Sequence, residues 1–478
     1  MKNFTISLLA FHLYSTFLET SEKNDESAKI LWENLAQLGE NSLPFTKLKN
    51  LRHQLICYDE YGKYNSHLAS HQNGLWMSKS HQAIDLGEIE IENLQIAGNL
   101  QPFRLNDTYV ADLTLTPKLP AEKPDISQLK QLPIKSLLPS SIQASLGETL
   151  LIYGEIDPDL NPQQIANESV ENLFASAQIK PTLVNQGELF KSLLFEYEAT
   201  ELNTTNNSSN TIQILVLCNN SEADTLELTG KAYEWILQLL CCRHKINFVY
   251  QESRDRYPQA RKSYDKLETQ MENFSTKIAD PQTRLESLKQ ILAKMPEEHL
   301  YYSRYLRDLK AHQTALETNT TNYKIALEKI ENIGNIPQYW QDFLNKTCSL
   351  WHRQIETDIN YLSPGQNLFE QMVNTIRATI EIDQAESDRN LQTIREKERR
   401  QKEESDRRLE RTIQVIGVGL GTGGIIASST GHIDVPISFK PTWQLNTIHP
   451  VILTLILSIS ATLLAGIITW YLTKPKNK

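Results

Sequence analysis

The chain has 478 residues, 40% hydrophobic and 22% charged. That length predicts two or three structural units, and the composition is ordinary for a soluble protein, so any membrane signal has to be local. Its 58 acidic residues against 48 Lys and Arg give a formal charge of -10, which excludes a general nucleic-acid binder and is explained by solubility.

In chain order, Ile6–Leu18 follows Lys2 and is apolar enough to resemble the core of a signal peptide. It contains His12, Tyr14, Ser15 and Thr16, and no small-x-small cleavage site follows, so it is expected to be the first buried strand or helix of a domain. The proline-rich stretch Pro117–Pro139 separates two subregions. Leu150–Ile156 reads as a strand, Pro162–Ala177 as a helix, and Asn203–Asn210 as a polar loop. Thr211–Cys218 is β-branched and apolar, as strands are, and Leu226–Cys242 reads as a helix. This alternation predicts an α/β or α+β cytoplasmic domain over residues 1–250. Its cysteines, Cys57, Cys218, Cys241 and Cys242, together with Cys348 further on, form no CxxC pair and no disulfide framework, as suits a reducing compartment.

Residues 251–411 predict a long helical stalk. Tyr264, Leu267, Met271, Phe274 and Ile278 recur at alternating three and four spacing, and Leu285, Leu288, Leu292 and Met295 keep the phase, with Pro281 as a break or helix start. A second set, Leu306, Leu309, Leu316, Tyr323, Leu327 and Ile330, is interrupted by Gly334 and Pro337. A third helix is expected from Asn367 without Gly or Pro as far as Arg411. Its last turns mix charges, and the basic residues Arg399, Arg400, Lys402, Arg407, Arg408 and Arg411 are placed to meet anionic lipid heads.

Two apolar segments close the chain. Val451–Leu472 is uncharged, about as long as a bilayer core, and ends in Trp470 and Tyr471. Thr412–Ile433 is also free of formal charge and glycine-rich. Gly417 and Gly421, and Gly419 and Gly423, form GxxxG pairs that permit close helix approach; Thr422, Ser428 and Ser429 are the polar positions of a candidate pore or packing face. The letters Gly419, Gly421 and Gly424 match a dinucleotide fingerprint, but neither a preceding strand nor a phosphate-loop lysine supports it. The expectation is transmembrane helix 1 at 412–433, an outer linker at 434–450, transmembrane helix 2 at 451–472 and a cytoplasmic tail at 473–478. Lysines and arginines crowd the outer flanks of the two spans, against the single Lys440 in the linker, placing both termini in the cytoplasm of a multi-pass protein of the inner or plasma membrane.

The catalytic motifs HExxH, P-loop and GxSxG do not occur, and His12, His67, His71 and His81 lack ligand spacing. Asp157 and Asp159 follow a predicted strand end, where acidic turn residues are common, and no enzyme activity is expected. The order of parts resembles the CorA-type divalent-cation transporter family. That resemblance implies a homo-oligomeric channel lined by Thr412–Ser429, gated from the cytoplasmic domain, with a divalent cation as the class of ion. The family's Gly-Met-Asn signature is replaced here by Ser428-Ser429-Thr430-Gly431-His432, so no selectivity residue carries over. The alternative expectation is a membrane-anchored sensor, scaffold or effector. Expected partners are the lipid bilayer, a second copy of the chain, and an unidentified ligand or protein, with no nucleic acid.

Overall fold

The computed structural model describes residues 2–14, 26–65, 75–118, 126–177, 179–202, 209–219, 223–274 and 284–392, with isolated positions between 409 and 471. Strand β1 (Lys2–Leu13) occupies the middle of the sheet. It has to be apolar on both sides: Ile6, Leu8 and Ala10 join one core, Leu9 and Phe11 the other. Around it run β2 (Ile84–Ile91), β3 (Leu94–Leu105), β4 (Thr108–Pro117), β5 (Gly147–Glu155), β6 (Thr182–Leu189), β7 (Ser192–Leu202) and β8 (Ser209–Asn219). Together they form one eight-stranded sheet in the order β2-β3-β4-β1-β5-β8-β7-β6. Only β5 and β8 pair in parallel; every other neighbouring pair is antiparallel.

Tight turns set the registers. Glu92 and Asn93 (φ 50° and 74°) close the β2–β3 hairpin in the left-handed region that its two-residue loop demands. Phe190 and Lys191 do the same between β6 and β7 (φ 50° and 68°), although neither residue favours that region. The strain is held from outside. The Phe190 N–H donates to the Asn335 carbonyl at 3.1 Å and the Lys191 N–H to Asn335 Oδ1 at 2.9 Å, while Thr225 Oγ1 donates to the Phe190 carbonyl at 2.7 Å.

One face of the sheet packs on α1 (Ile30–Asn41), α2 (Thr46–Lys49), α3 (Pro139–Ile142) and α4 (Pro162–Phe174), through Trp32, Leu35, Phe45, Ile142, Val170 and Phe174. Helix α4 starts where it does because Pro162 fits the first turn and Asn161 Oδ1 accepts from the N–H groups of Gln163 and Gln164. The other face carries α5 (Ala223–Glu272), α6 (Arg284–Glu331), α7 (Gln338–Asp342) and a π-helical turn, Phe343–Cys348, that leads into α8 (Ser349–Gln392). Polar contacts between α5 and the sheet or its turns accompany the apolar packing, among them Tyr233 to Asp112, Arg243 to Glu196, His244 to Thr149, and Lys245 to Asp107.

The chain divides into two compact units, Met1–Asp265 with Leu300–Gly365, and Lys266–His299 with Gln366–Lys478. Within the second, Leu267, Leu288, Met295, Phe369, Met372 and Ile376 are buried. Arg284 there holds Asp383 by two hydrogen bonds of 2.6 and 3.1 Å, and Gln270 donates to Glu298 at 2.8 Å.

The mixed α/β domain and the long helices are present, but two expectations are corrected. The third long helix begins at Ser349 rather than near Asn367, and it runs through Pro364. The following Gly365 leaves room there for the rings of Tyr264 and Tyr302, and the Tyr302 hydroxyl donates to the Leu362 carbonyl. Helices α5 and α6 likewise continue through Pro258 and Pro296.

The larger correction concerns the membrane. Among the described residues no helix is long and apolar enough to cross a bilayer. The long helices carry charges throughout, as in the run Arg254, Asp255, Arg256 of α5, and such helices do not span hydrocarbon. This overturns the transmembrane architecture, the resemblance to CorA-type transporters, the channel and membrane-anchored readings, the lipid-bilayer partner and the multi-pass localisation. The segments 412–433 and 451–472 themselves lie outside the described residues, isolated positions excepted.

Two glycines report the packing. A Cβ on Gly39 of α1 would lie 2.5 Å from the backbone nitrogen of Lys49 in α2, whereas one on Gly230 of α5 meets nothing within 4 Å. Gly39→Ala is expected to destabilise the fold by about 1–3 kcal/mol, and Gly230→Ala to stabilise it by roughly 0.5–1 kcal/mol through helix propensity. Thermal and urea unfolding of the two variants should move in opposite directions.

Candidate functional site

A cleft of about 1000 Å³ opens in the first unit, between the sheet and α5. Registry explains its composition. Thr149 on β5, Gln213 on β8 and Glu198 on β7 are aligned neighbours, and Glu196 and Thr211 lie two residues away along the same strand faces. All five therefore face α5. From α5 come Arg243, His244, Asn247, Phe248 and Gln251, at spacings that share one helix face. Phe343 and Trp351 form a third wall, and Ser140 with residues 143–148 a fourth.

Beneath the cleft runs a chain of buried hydrogen bonds with a single direction. Arg243 Nη2 lies 2.6 Å from Glu196 Oε1 in an ion pair. Gln213 Nε2 donates to the same oxygen at 2.6 Å. The Gln213 carbonyl therefore faces Thr149, whose hydroxyl donates to it at 2.9 Å. That hydroxyl has one proton, so the 2.7 Å contact between Thr149 Oγ1 and His244 Nε2 requires the imidazole to be the donor. His244 thus carries a proton on Nε2, and its lowered pKa keeps the ring neutral. Burial lowers its pKa to about 3, and the adjacent Arg243 charge adds to the effect. Arg243 moves the other way: burial, the largest single cause, pulls its pKa down, but the Glu196 charge and hydrogen bond together with Tyr323 and Tyr339 outweigh it and raise the pKa.

The wall formed by residues 143–147 is tied to titratable groups. The Ala144 N–H donates to Glu148 Oε1 at 3.0 Å, and the Ser145 N–H to His12 Nδ1 at 3.1 Å. His12 Nε2 meets the Ser27 carbonyl at 2.8 Å, so this imidazole is also neutral; burial lowers its pKa. Gly147 (φ +122°) closes the turn, and a Cβ there would come within 2.9 Å of His244 Nδ1. Glu148, 1% exposed, has its pKa pushed up to about 7 by burial.

The sequence reading had singled out none of Glu148, Glu196, Arg243 or His244. Their signal was a charge placed where the pattern is otherwise apolar: Glu148 just before Thr149–Ile152, Glu196 within Leu193–Tyr197, and Arg243–Lys245 directly after Trp235–Cys242. Of the candidate site residues it did name, none that the structure describes lines the cleft. Gly417 is helical with open space around it. Gly419, Gly421, Thr422, Gly423, Ser428 and Ser429 lie outside the described residues, as do Arg399, Arg400, Lys402, Arg407, Arg408 and Arg411. Asp157 pairs with Lys2 at 3.4 Å in an exposed turn. Among the described residues no group of three His, Cys, Asp or Glu side chains could hold a metal ion. No protein-family model, curated protein or solved structure matches the chain.

Glu148 gives this site a pH signature. Its folded-state pKa lies above the ordinary 4.5, so its contribution to stability is fully present below pH 4.5 and is lost as pH rises through about 7. Glu148→Gln keeps an acceptor for the Ala144 N–H and removes the buried charge. Its melting temperature is expected to exceed wild type at pH 8, by the equivalent of roughly 2–3 kcal/mol, and to match wild type at pH 4.

Proposed function

We propose that the first unit is a ligand-binding module whose cleft takes up a small, polar molecule. One observation carries the reading. The deep groups under the cleft hold one another, with Arg243 Nη1 alone among them buried without a hydrogen-bond partner, whereas the side chains of Glu198, Asn210, Asn247 and Gln251, which line it, have no hydrogen-bond or ionic partner among the described residues. A buried, hydrogen-bonded layer under an unsatisfied accessible layer is the arrangement that pre-organises a binding surface.

The volume is that of a small-molecule site. The lining is more polar than such sites usually are, which favours a ligand bound through several hydrogen bonds. Binding, rather than turnover, fits the way the reactive groups are employed: Glu196 is held by Arg243 and Gln213, and the His244 Nε2 proton by Thr149. The cleft also lies beside the amino-terminal ends of the parallel pair β5 and β8, opposite to the carboxyl ends where ligands of open α/β sheets bind. The reading therefore rests on the chemistry of the cleft, with no analogy of fold.

A thermal-shift screen of sugars, amino acids, nucleosides, dicarboxylates and diamines tests it. At least one class is expected to stabilise the wild-type chain; a ligand at a hundred times its dissociation constant contributes about 2.7 kcal/mol. The double variant Asn247→Leu, Gln251→Leu should fold and lose that response. A silent panel, or an equal response in the double variant, removes the ligand-binding reading.

A further inference from the structure

We infer that the ligand of this cleft carries a cationic nitrogen, an ammonium or guanidinium group, received by Glu198 and the aromatic side chains Phe248 and Trp351. The inference rests on the ligand-binding reading above and names the charge class of the ligand.

Charge bookkeeping within the cleft comes first. Three carboxylates line it, Glu148, Glu196 and Glu198, against one cation, Arg243. Arg243 and Glu196 are paired at 2.6 Å and neutralise one another. His244 adds no charge, because its one ring proton is donated to Thr149. What remains is the exposed Glu198, without a partner among the described residues, and the buried Glu148 behind the wall. Glu148 precedes Thr149 on β5, so strand alternation turns its buried carboxylate toward the opposite face of the sheet from Glu198 on β7. Glu198 is the surplus charge that faces the cleft directly, and no other cation lining the cleft offsets it. An anionic ligand would meet this surplus, and a neutral one would leave it unused.

The second observation is independent of charge counting. The first unit already seats two of its own guanidinium groups between an aromatic ring and a carboxylate. Arg243 Cζ lies 5.1 Å over the Phe343 ring while paired to Glu196, inside the cleft itself. Arg254 Cζ lies 5.2 Å over Tyr250 while paired to Asp358, and Tyr250 stacks on Trp351 at 4.2 Å. Phe248 and Trp351 line the same cleft as Glu198. An aromatic face with a carboxylate nearby favours a cation over a neutral amine or alcohol.

Protonation adds a readout. Glu148, pushed up to about 7, gains its charge between pH 6 and pH 8. The other groups facing it or its loop are Glu201, which raises the same pKa, His12 on the Ser145 N–H, and Arg243 and His244 from α5. A cation should therefore bind more tightly at pH 8 than at pH 6.

Isothermal titration of the full chain with three four-carbon probes tests this: butane-1,4-diamine, butane-1,4-diol and succinate. The diamine is expected to bind at least tenfold more tightly than the diol, with no heat from succinate. Its affinity should rise several-fold from pH 6 to pH 8. Glu198→Gln should weaken it fivefold or more, and Glu148→Gln should bind it with the pH dependence flattened. Equal or tighter binding of the diol or of succinate, lost in Asn247→Leu, Gln251→Leu, overturns the cationic class and leaves the ligand-binding module standing. Binding of none of the three, or diamine binding indifferent to Glu198→Gln, also overturns it, and the broader screen then decides whether any ligand binds.

Discussion

Arg243 and Glu196 meet inside the interface between α5 and the sheet, and much of the first unit is arranged around that meeting. Removing two charges from water costs several kcal/mol each, which their mutual attraction offsets only in good geometry with the remaining polar valences filled. Here Gln213 supplies the second donor to Glu196 and the Phe343 ring covers the guanidinium, while Arg243 Nη1 is buried without a hydrogen-bond partner. Thr149 and His244 extend the chain by the only proton assignment that leaves no hydroxyl hydrogen counted twice. The pair therefore fixes which turn of α5 lies over β5, β8 and β7. Sliding the helix by one turn would bury a lone carboxylate and a lone guanidinium.

That fixed register has a consequence at the surface. Asn247, Phe248 and Gln251 follow Arg243 and His244 by one and two turns, so the seam that anchors the helix also aims these side chains across the cleft at Glu198 and Asn210. Tyr233 on Asp112 and Lys245 on Asp107 hold the same helix from other points of the sheet and its turns. Anchoring and ligand presentation are thus the work of neighbouring residues on one element. The cost of the design is the buried Glu148, whose carboxylate ties the loop at Ala144 but is itself kept near neutrality by burial.

Local structure was legible in the sequence where periodicity was strong. Leu150–Ile156 falls almost wholly inside β5 and Thr211–Cys218 inside β8, and the helix expected from Pro162 starts there, under an asparagine cap. Boundaries were misread where tertiary contacts override local preference. The third long helix was expected from about Asn367, but it starts at Ser349 and passes through Pro364, beside a glycine that admits two tyrosine rings. The candidate site was not legible. Glu196 and Arg243 are far apart in sequence, and only the pairing of β7 with β8 and the seating of α5 bring them together. The glycines and basic residues that sequence reasoning favoured lie, Gly417 excepted, outside the described residues, and the membrane reading built on them is not supported by the helices described.

The central claim is that a neutral His244 terminates a directed hydrogen-bond chain reaching back to the Glu196–Arg243 pair. Nitrogen-15 correlation spectra of the histidine side chains, assigned by loss of the His244 signals in His244→Gln, read this directly. The account requires His244 to remain the neutral tautomer protonated on Nε2 from pH 8 down to pH 5. An imidazole that titrates near its ordinary 6.5, or that carries its proton on Nδ1, would contradict it.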